Sequence, residues 1–251
     1  MQCPKAAIFD LDDTLAESFQ APTSEMVERL RNLLDRIPVA IMTAASFQRM
    51  ETQFLRELTT SAHISRLIIF SNVASECYLW KEGWQQEYDV SFSTKEHSEI
   101  KKAIEESVAE VQLAEHPKYR SLILERDGKI AYAAIGLDAT QEEKKAWDPD
   151  RRKRTELAEA IRRRIPHAEI SIGGTTTVDI TPKGIDKAYG VEWLGKHLGV
   201  KPREMLYVGD ALFEGGNDAV VITTGVITRA VSGPAETLQV IDELLKVCVS
   251  A

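Results

Sequence analysis

Apolar positions along this chain follow two rhythms. Short unbroken runs, Ala6-Ala7-Ile8-Phe9, Pro38-Val39-Ala40-Ile41-Met42, Leu67-Ile68-Ile69-Phe70 and Met205-Leu206-Tyr207-Val208, read as strands buried on both faces. Between them apolar residues recur every three or four positions, as in Val27, Leu30, Leu34 and Ile37, and again in Phe47, Met50, Phe54 and Leu58. Pro22-Thr23-Ser24 marks the start of the first of these helices. Strands alternating with helices in this way predict an α/β fold, a doubly wound parallel sheet.

The rhythm changes over residues 79–182. Ser121-Leu122-Ile123-Leu124-Glu125 and Ile130-Ala131-Tyr132-Ala133-Ala134-Ile135, joined through Asp127-Gly128, predict a β-hairpin. Helical spacing flanks it at 96–113 and 150–164, and strand candidates follow at 168–172 and 176–180. The predicted organisation is a core of residues 1–78 and 183–251 with an inserted α+β domain at 79–182, and hinges near 72–76 and 181–184. The pattern then returns to the core and ends in a helix through Leu238, Ile241 and Leu245.

Composition narrows the classes of function. A formal net charge of −8 offers no basic field for nonspecific nucleic-acid binding. No apolar run approaches membrane-spanning length, and no basic-then-apolar leader opens the chain, so a cytoplasmic protein is expected. Cys3, Cys77 and Cys248 have no metal-ligand spacing and read as reduced thiols. The five histidines form no i, i+4 pair, which argues against a zinc site. Arg151-Arg152-Lys153-Arg154 and Arg162-Arg163-Arg164 spread around a helix and read as a solvated surface.

Candidate chemistry begins at Asp10-Leu11-Asp12-Asp13-Thr14-Leu15, directly after the first strand. Alternation puts Asp10 and Asp12 on the same side of an extended chain, at the strand end where α/β folds bind ligands. Two such carboxylates can hold Mg²⁺ or divide the work of nucleophile and proton donor. The bland alternative is an acidic turn in which Asp13 and Thr14 satisfy backbone groups.

This hexapeptide resembles the first motif of the haloacid dehalogenase superfamily of phosphatases and phosphomutases. Three further segments fit in order: the strand ending at Thr43, Lys187 in Thr181-Pro182-Lys183-Gly184-Ile185-Asp186-Lys187, and Gly209-Asp210 followed by Gly215-Gly216-Asn217-Asp218. The resemblance implies Asp10 as the nucleophile that forms an aspartyl-phosphate, and Asp12 as the acid and base. Thr43 and Lys187 would grip the phosphoryl oxygens. It implies Mg²⁺ held by Asp10, Asp210 and the backbone carbonyl of Asp12. Asn217 and Asp218 would hold the metal's waters or orient Lys187. Lys183, between Pro182 and Gly184, is the less suited lysine because those neighbours favour an exposed turn.

Within the superfamily, the inserted domain resembles the large cap of one branch. The six residues 211–216 between Gly-Asp and Asn-Asp resemble the eukaryotic-type phosphomannomutases. Ser171-Ile172-Gly173-Gly174, Thr177 and Asp179 resemble that family's cap-to-core segment, and Arg126 its substrate-contacting hairpin arginine. Gly174, Thr177, Asp179, Arg126 and Lys144 are therefore the candidate substrate-binding residues. Three departures stand out. Leu137 and Lys144 occupy positions where the family has arginine, and Asp13 replaces a glycine. Lysine does not reproduce a bidentate arginine fork, so the hold on a second phosphate is weakened.

The sequence therefore points first to an Mg²⁺-dependent phosphatase acting on a sugar phosphate or similar small phosphorylated metabolite. A phosphomannomutase-like hexose phosphate mutase comes second, and a non-catalytic phosphosugar-binding protein a distant third. A cap-to-cap homodimer is an expectation of the resemblance alone.

Overall fold

The computed structural model describes residues 2–126 and 128–248. The chain divides into two compact units, Met1–Asp89 with Asp186–Ala251, and Val90–Ile185. The expected boundary at 79 therefore moves to 90. The reason is a hairpin that the apolar runs did not reveal, whose strands extend the core sheet.

In chain order the first unit opens with β1 (Ala6–Phe9), α1 (Ser24–Leu34), β2 (Val39–Met42), α2 (Phe47–Met50), α3 (Arg56–Leu58), β3 (Leu67–Ser71), β4 (Glu76–Trp80) and β5 (Trp84–Asp89). The inserted unit contains α4 (Thr94–Glu110), β6 (Leu122–Arg126), β7 (Lys129–Ala133), α5 (Gln141–Trp147), α6 (Arg152–Arg164), β8 (Ala168–Gly173) and β9 (Thr177–Pro182). The first unit resumes with α7 (Lys187–Leu198), β10 (Met205–Gly209), β11 (Ile227–Ala230) and α8 (Pro234–Val247).

The core sheet has seven strands in the order β11-β10-β1-β2-β3-β4-β5. The first five run parallel, and the β4–β5 hairpin adds antiparallel pairs at one edge. Period-2 alternation sorts the side chains of the inner strands. Ala7, Phe9, Val39, Ile41, Ile69, Leu206 and Val208 join a buried cluster with Met26, Leu30 and Leu33 of α1 and Val240, Ile241 and Leu244 of α8. Ala6, Ile8, Ala40, Met42, Phe70, Met205 and Tyr207 pack instead with Val191 and Leu194 of α7. Both faces are covered, which is why these strands read as unbroken apolar runs. β1 lies between β2 and β10, so the chain turns away to opposite sides there, and ligands bind at such a switch point.

The inserted unit is a four-stranded antiparallel sheet, β6-β7-β9-β8. One face carries Ile130, Tyr132, Ile170, Val178 and Ile180 into a core with Ile100 and Ile104 of α4 and Leu157 and Ile161 of α6. The same alternation puts Lys129, Ala131, Thr177 and Asp179 on the opposite face. The turn residue Asp127 lies outside the described residues.

Two expectations are corrected. Cys3 and Cys248 form a disulfide, with their Cα atoms 5.0 Å apart, and only Cys77 is free and buried. A pairing across 245 residues has no local signature. The expected hinge at 72–76 lies within the core unit, joining β3 to β4. Among the described residues, no helix is long and apolar enough to cross a membrane.

Candidate active site

Three parallel strands deliver the candidate residues at their carboxyl ends. Asp10 follows β1, with its backbone N–H donating to the Val208 carbonyl at 3.0 Å. Thr43 follows β2, and Asp210 follows β10. Lys187 opens α7, whose N-cap is Asp186, and its side chain is fully buried. Lys187 Nζ lies 2.9 Å from Asp10 Oδ1 and 2.6 Å from Asp218 Oδ1.

Asp218 accepts from three different elements of the core. Its Oδ1 also accepts from the Tyr207 hydroxyl at 2.5 Å, and its Oδ2 accepts from the Ala211 N–H at 3.1 Å. This anchoring suits a residue that orients Lys187, one of the two roles left open by the sequence. Gly209 makes room for it, because a Cβ there would stand 2.3 Å from Asp218 Oδ2. Gly216 lets the following loop close in the same way, since its Cβ would meet the Ala211 carbonyl oxygen at 1.9 Å. Asn217 is partly exposed.

The electrostatics are one-sided. Asp10, Asp210 and Asp218 each offer an oxygen within 4.8 Å of the others, against one lysine. Burial first, then the neighbouring Asp218 and Asp210 charges, push Asp10 well above the usual carboxylate range, although Lys187 pulls the other way. Burial and the Asp218 charge push Asp210 up to about 6. Burial works against the Lys187 ammonium, yet Asp10 and Asp218 hold its pKa above the ordinary lysine value. Burial and Asp218 likewise keep the Tyr207 phenol protonated. Crowded, buried oxygens with surplus negative charge fit a hard divalent cation.

The remaining core candidates are placed differently. The Thr43 hydroxyl is buried and accepts from Ala45 N–H at 3.0 Å, while Ser46 caps α2, so Thr43 is not the helix cap. Its loop rests on a run of left-handed residues, Asn72, Val73 and Ala74, at φ of 48°, 61° and 64°. Asn72 and Val73 donate to the carbonyls of Ala45 and Thr43. A β-branched residue in that region is strained, and such strain collects at functional sites. Asp12 lies outside this acidic cluster, and its carboxylate is bonded by Arg49 at 2.7 and 3.1 Å. Thr14 Oγ1 accepts from Asp210 N–H at 3.1 Å, which steadies that loop.

The inserted unit brings Arg126, Thr177 and Asp179 onto one sheet face and occupies most of its cations internally. Asp179 Oδ1 lies 3.2 Å from buried Lys129 Nζ. Thr177 Oγ1 donates to the Gly173 carbonyl at 2.8 Å. Gly174 has φ of +44°, and its carbonyl accepts from Arg154 Nη1 at 2.5 Å. Lys144 is buried and donates to the Leu137 carbonyl at 3.0 Å. Burial lowers its pKa. Arg126 ends β6, half-buried. The basic stretch is not simply solvated: Arg154 is buried on Asp148 at 2.8 Å, and Arg163 and Arg164 pair with Glu110.

Tyr207, Arg49 and Lys129 escaped the sequence reading. Tyr207 is hidden in an apolar run, although a hydroxyl two residues before Gly209-Asp210 was the available signal. Arg49 falls on the polar side of a helical pattern. Lys129 follows a turn and carries no motif.

Comparison with known proteins is consistent with this geometry. A family model for eukaryotic phosphomannomutase matches residues 26–247. The chain is 27% identical to phosphomannomutase 2 of Dictyostelium discoideum over 247 residues, covering 94% of each protein. It is 26% identical to the phosphomannomutase of Saccharomyces cerevisiae, covering 94% of this chain and 92% of that protein. Among solved structures, a Plasmodium falciparum IMP-nucleotidase aligns with a TM-score of 0.72 at 17% identity, over 97% of this chain and 71% of that one. A haloacid dehalogenase-like hydrolase from Bacteroides thetaiotaomicron gives 0.64 at 14% identity, over 96% and 99%. The structural likenesses speak for the fold alone, a parallel-sheet core with an inserted α+β unit. With the family match spanning most of the sequence, the chain belongs to the eukaryotic phosphomannomutase family.

Proposed function

We propose that the protein is a magnesium-dependent hexose phosphate mutase of phosphomannomutase type, working through an aspartyl-phosphate. The observation that carries this reading is Asp10, buried at a strand end, bonded to Lys187 and crowded by Asp210 and Asp218. Family membership supports the mutase over the phosphatase that the sequence put first.

In the proposed cycle, an Asp10 oxygen forms a bond to phosphorus as the bond from phosphorus to the sugar oxygen breaks. Asp12 gives a proton to the departing oxygen, and takes one back when the phosphoryl group returns to a sugar hydroxyl. Lys187 holds the phosphoryl oxygens, and Asp218 with Tyr207 keeps Lys187 in place. Asp10, Asp210 and the Asp12 carbonyl would hold magnesium. When bound, it supplies positive charge that offsets repulsion between carboxylate and phosphate. Arg126, Gly174, Thr177, Asp179 and Lys144 are the proposed sugar contacts. A cytoplasmic location belongs to the same proposal.

One observation favours a phosphatase as second reading. Leu137 is an exposed leucine where the family has arginine, and Lys144 is engaged by the Leu137 carbonyl. A sugar held by one end only would leave, and water would take the phosphoryl group.

The deciding assay incubates the protein with magnesium and mannose 1-phosphate, with and without glucose 1,6-bisphosphate, and follows hexose 6-phosphate and inorganic phosphate together. Activator-dependent hexose 6-phosphate is the expected result. Phosphate release alone would replace the mutase with the phosphatase, and no reaction across a panel of monophosphates would overturn both.

A further inference from the structure

The loop after Asp12 folds tightly back on it. Asp13 sits at φ of 57° and Phe19 at 65°. Position 13 therefore favours glycine on backbone grounds. Its aspartate is kept there by bonds from the Ser18 N–H at 3.1 Å and the Ser18 hydroxyl at 2.6 Å. The turn returns Phe19 to Asp12, where its N–H donates to Oδ1 at 2.8 Å.

Arg49 approaches the same carboxylate from α2. Its Nη2 lies 2.7 Å from Oδ1 and its Nη1 3.1 Å from Oδ2. Its Nε donates to Gln53 Oε1 at 3.1 Å, and Gln53 Nε2 donates to the Phe19 carbonyl at 3.2 Å. The guanidinium also stands 5.2 Å from the centre of the Phe19 ring. The bonds close a ring: Asp12, Arg49, Gln53, Phe19 and back to Asp12. Gln53 reaches it from a π-helical turn, Glu51–Leu55, and such turns are frequent at functional sites.

An exposed ion pair would mean little. This one is bidentate, braced on two sides, and only 20% and 26% exposed. A carboxylate has about four acceptor directions. Among the described contacts Oδ1 uses two and Oδ2 one. One direction on Oδ2 is left for a further partner.

We propose that Arg49, braced by Gln53, is the positioning residue for Asp12, fixing the carboxyl so that this last direction of Oδ2 meets the oxygen that leaves with the sugar. The inference rests on the aspartyl-phosphate reading above. As the bond from phosphorus to the sugar oxygen breaks, its electron pair stays on that oxygen, which receives the Asp12 proton. The bond from Asp10 to phosphorus forms, and the Arg49 fork holds the carboxylate left behind. The return step reverses each of these.

The test compares two esters on the native protein, Arg49→Ala, Arg49→Lys and Gln53→Ala, with magnesium. Mannose 1-phosphate, assayed with glucose 1,6-bisphosphate for total turnover, needs a proton on its leaving oxygen. p-Nitrophenyl phosphate does not, because its phenolate is stable. Arg49→Ala should lower kcat on the sugar ester by about 10- to 100-fold, part of the ~10²–10⁴ that a proton donor supplies. Its KM should stay within about twofold, and the nitrophenyl ester should slow far less. Added guanidinium ion should restore the sugar reaction in Arg49→Ala. Arg49→Lys, which keeps charge but loses the fork, should show the same selective loss more weakly. If Arg49→Ala fails to fold, Arg49→Lys and Gln53→Ala give the same two-ester comparison. Equal losses on both esters, or no loss on the sugar ester, would overturn the role of Arg49. No turnover of either ester by the native protein would overturn the phosphoryl-transfer reading, and this inference with it.

Discussion

Both units of this protein bury charge, and they do so in opposite ways. In the core, three carboxylates gather around one lysine, leaving a negative surplus. In the inserted unit two of the buried cations sit in matched ion pairs, Lys129 with Asp179 and Arg154 with Asp148, while buried Lys144 donates to the neutral Leu137 carbonyl. A matched buried pair fixes geometry and gains little else. An unmatched cluster is unfavourable unless a cation or substrate completes it, and this marks chemistry. The core therefore announces a reaction, while the buried ion pairs described in the inserted unit read as a frame.

The sharpest break of this contrast is Lys187→Met. Removing one partner of a buried ion pair costs about 3–5 kcal/mol, because the remaining charges lose their compensation. Here two carboxylates are stranded, so turnover should vanish and the urea midpoint should fall. Lys144→Met should cost only about 1 kcal/mol, the worth of one hydrogen bond, and should leave p-nitrophenyl phosphate turnover intact. Equal losses would erase the distinction between the units.

The next effect separates the units by redox state. The disulfide between Cys3 and Cys248 ties the core's first strand segment to its last helix. Reducing it should lower core stability by about 2–4 kcal/mol. Hydrogen exchange should then speed in β1 and α8 while the amides of β7 and β9 keep their rates. Uniform acceleration would mean the units unfold as one.

A gain-of-function change probes position 137 in the inserted unit. Leu137 is 49% exposed, so Leu137→Arg should fold and add a guanidinium. The ratio of hexose 6-phosphate to inorganic phosphate should rise, and less glucose 1,6-bisphosphate should give half-activation. An unchanged ratio would show that position 137 does not govern how the sugar is held.

The smallest effect is a pH dependence confined to the inserted unit. The Tyr119 hydroxyl, Lys118 and the Thr140 backbone bond to Glu143 and hold its pKa at about 2. A depressed carboxylate contributes its stability fully above the unfolded value of 4.5 and loses it as pH falls toward about 2. Helix α5, which Glu143 caps, should loosen across that window, as followed by hydrogen exchange. Glu143→Gln should flatten the profile. A native profile already flat would remove Glu143 from the account.

Legibility in the sequence followed the same division. Strands covered on both faces write themselves as unbroken apolar runs, so β1, β2, β3 and β10 stood out. The edge strand β5, with Gln85, Gln86 and Glu87 facing out, has no such run, and the domain boundary was drawn too early. β11 is exposed along its length and was equally silent. Asp10, Lys187, Asp210 and Asp218 were nameable because strand ends impose their spacing. Tyr207, Arg49 and Lys129, the partners of Asp218, Asp12 and Asp179, were not, because side-chain contacts of this kind leave no local pattern. The disulfide is the extreme case.

The central claim is that Asp10 accepts a phosphoryl group. The most direct measurement mixes the protein rapidly with magnesium and glucose 1,6-bisphosphate, quenches in acid, and reads the intact mass and the modified peptide. The account predicts one added phosphoryl group on the peptide containing Asp10, absent from Asp10→Asn and released by alkali. A turning-over native enzyme with no adduct, or an adduct that persists in Asp10→Asn, would contradict it.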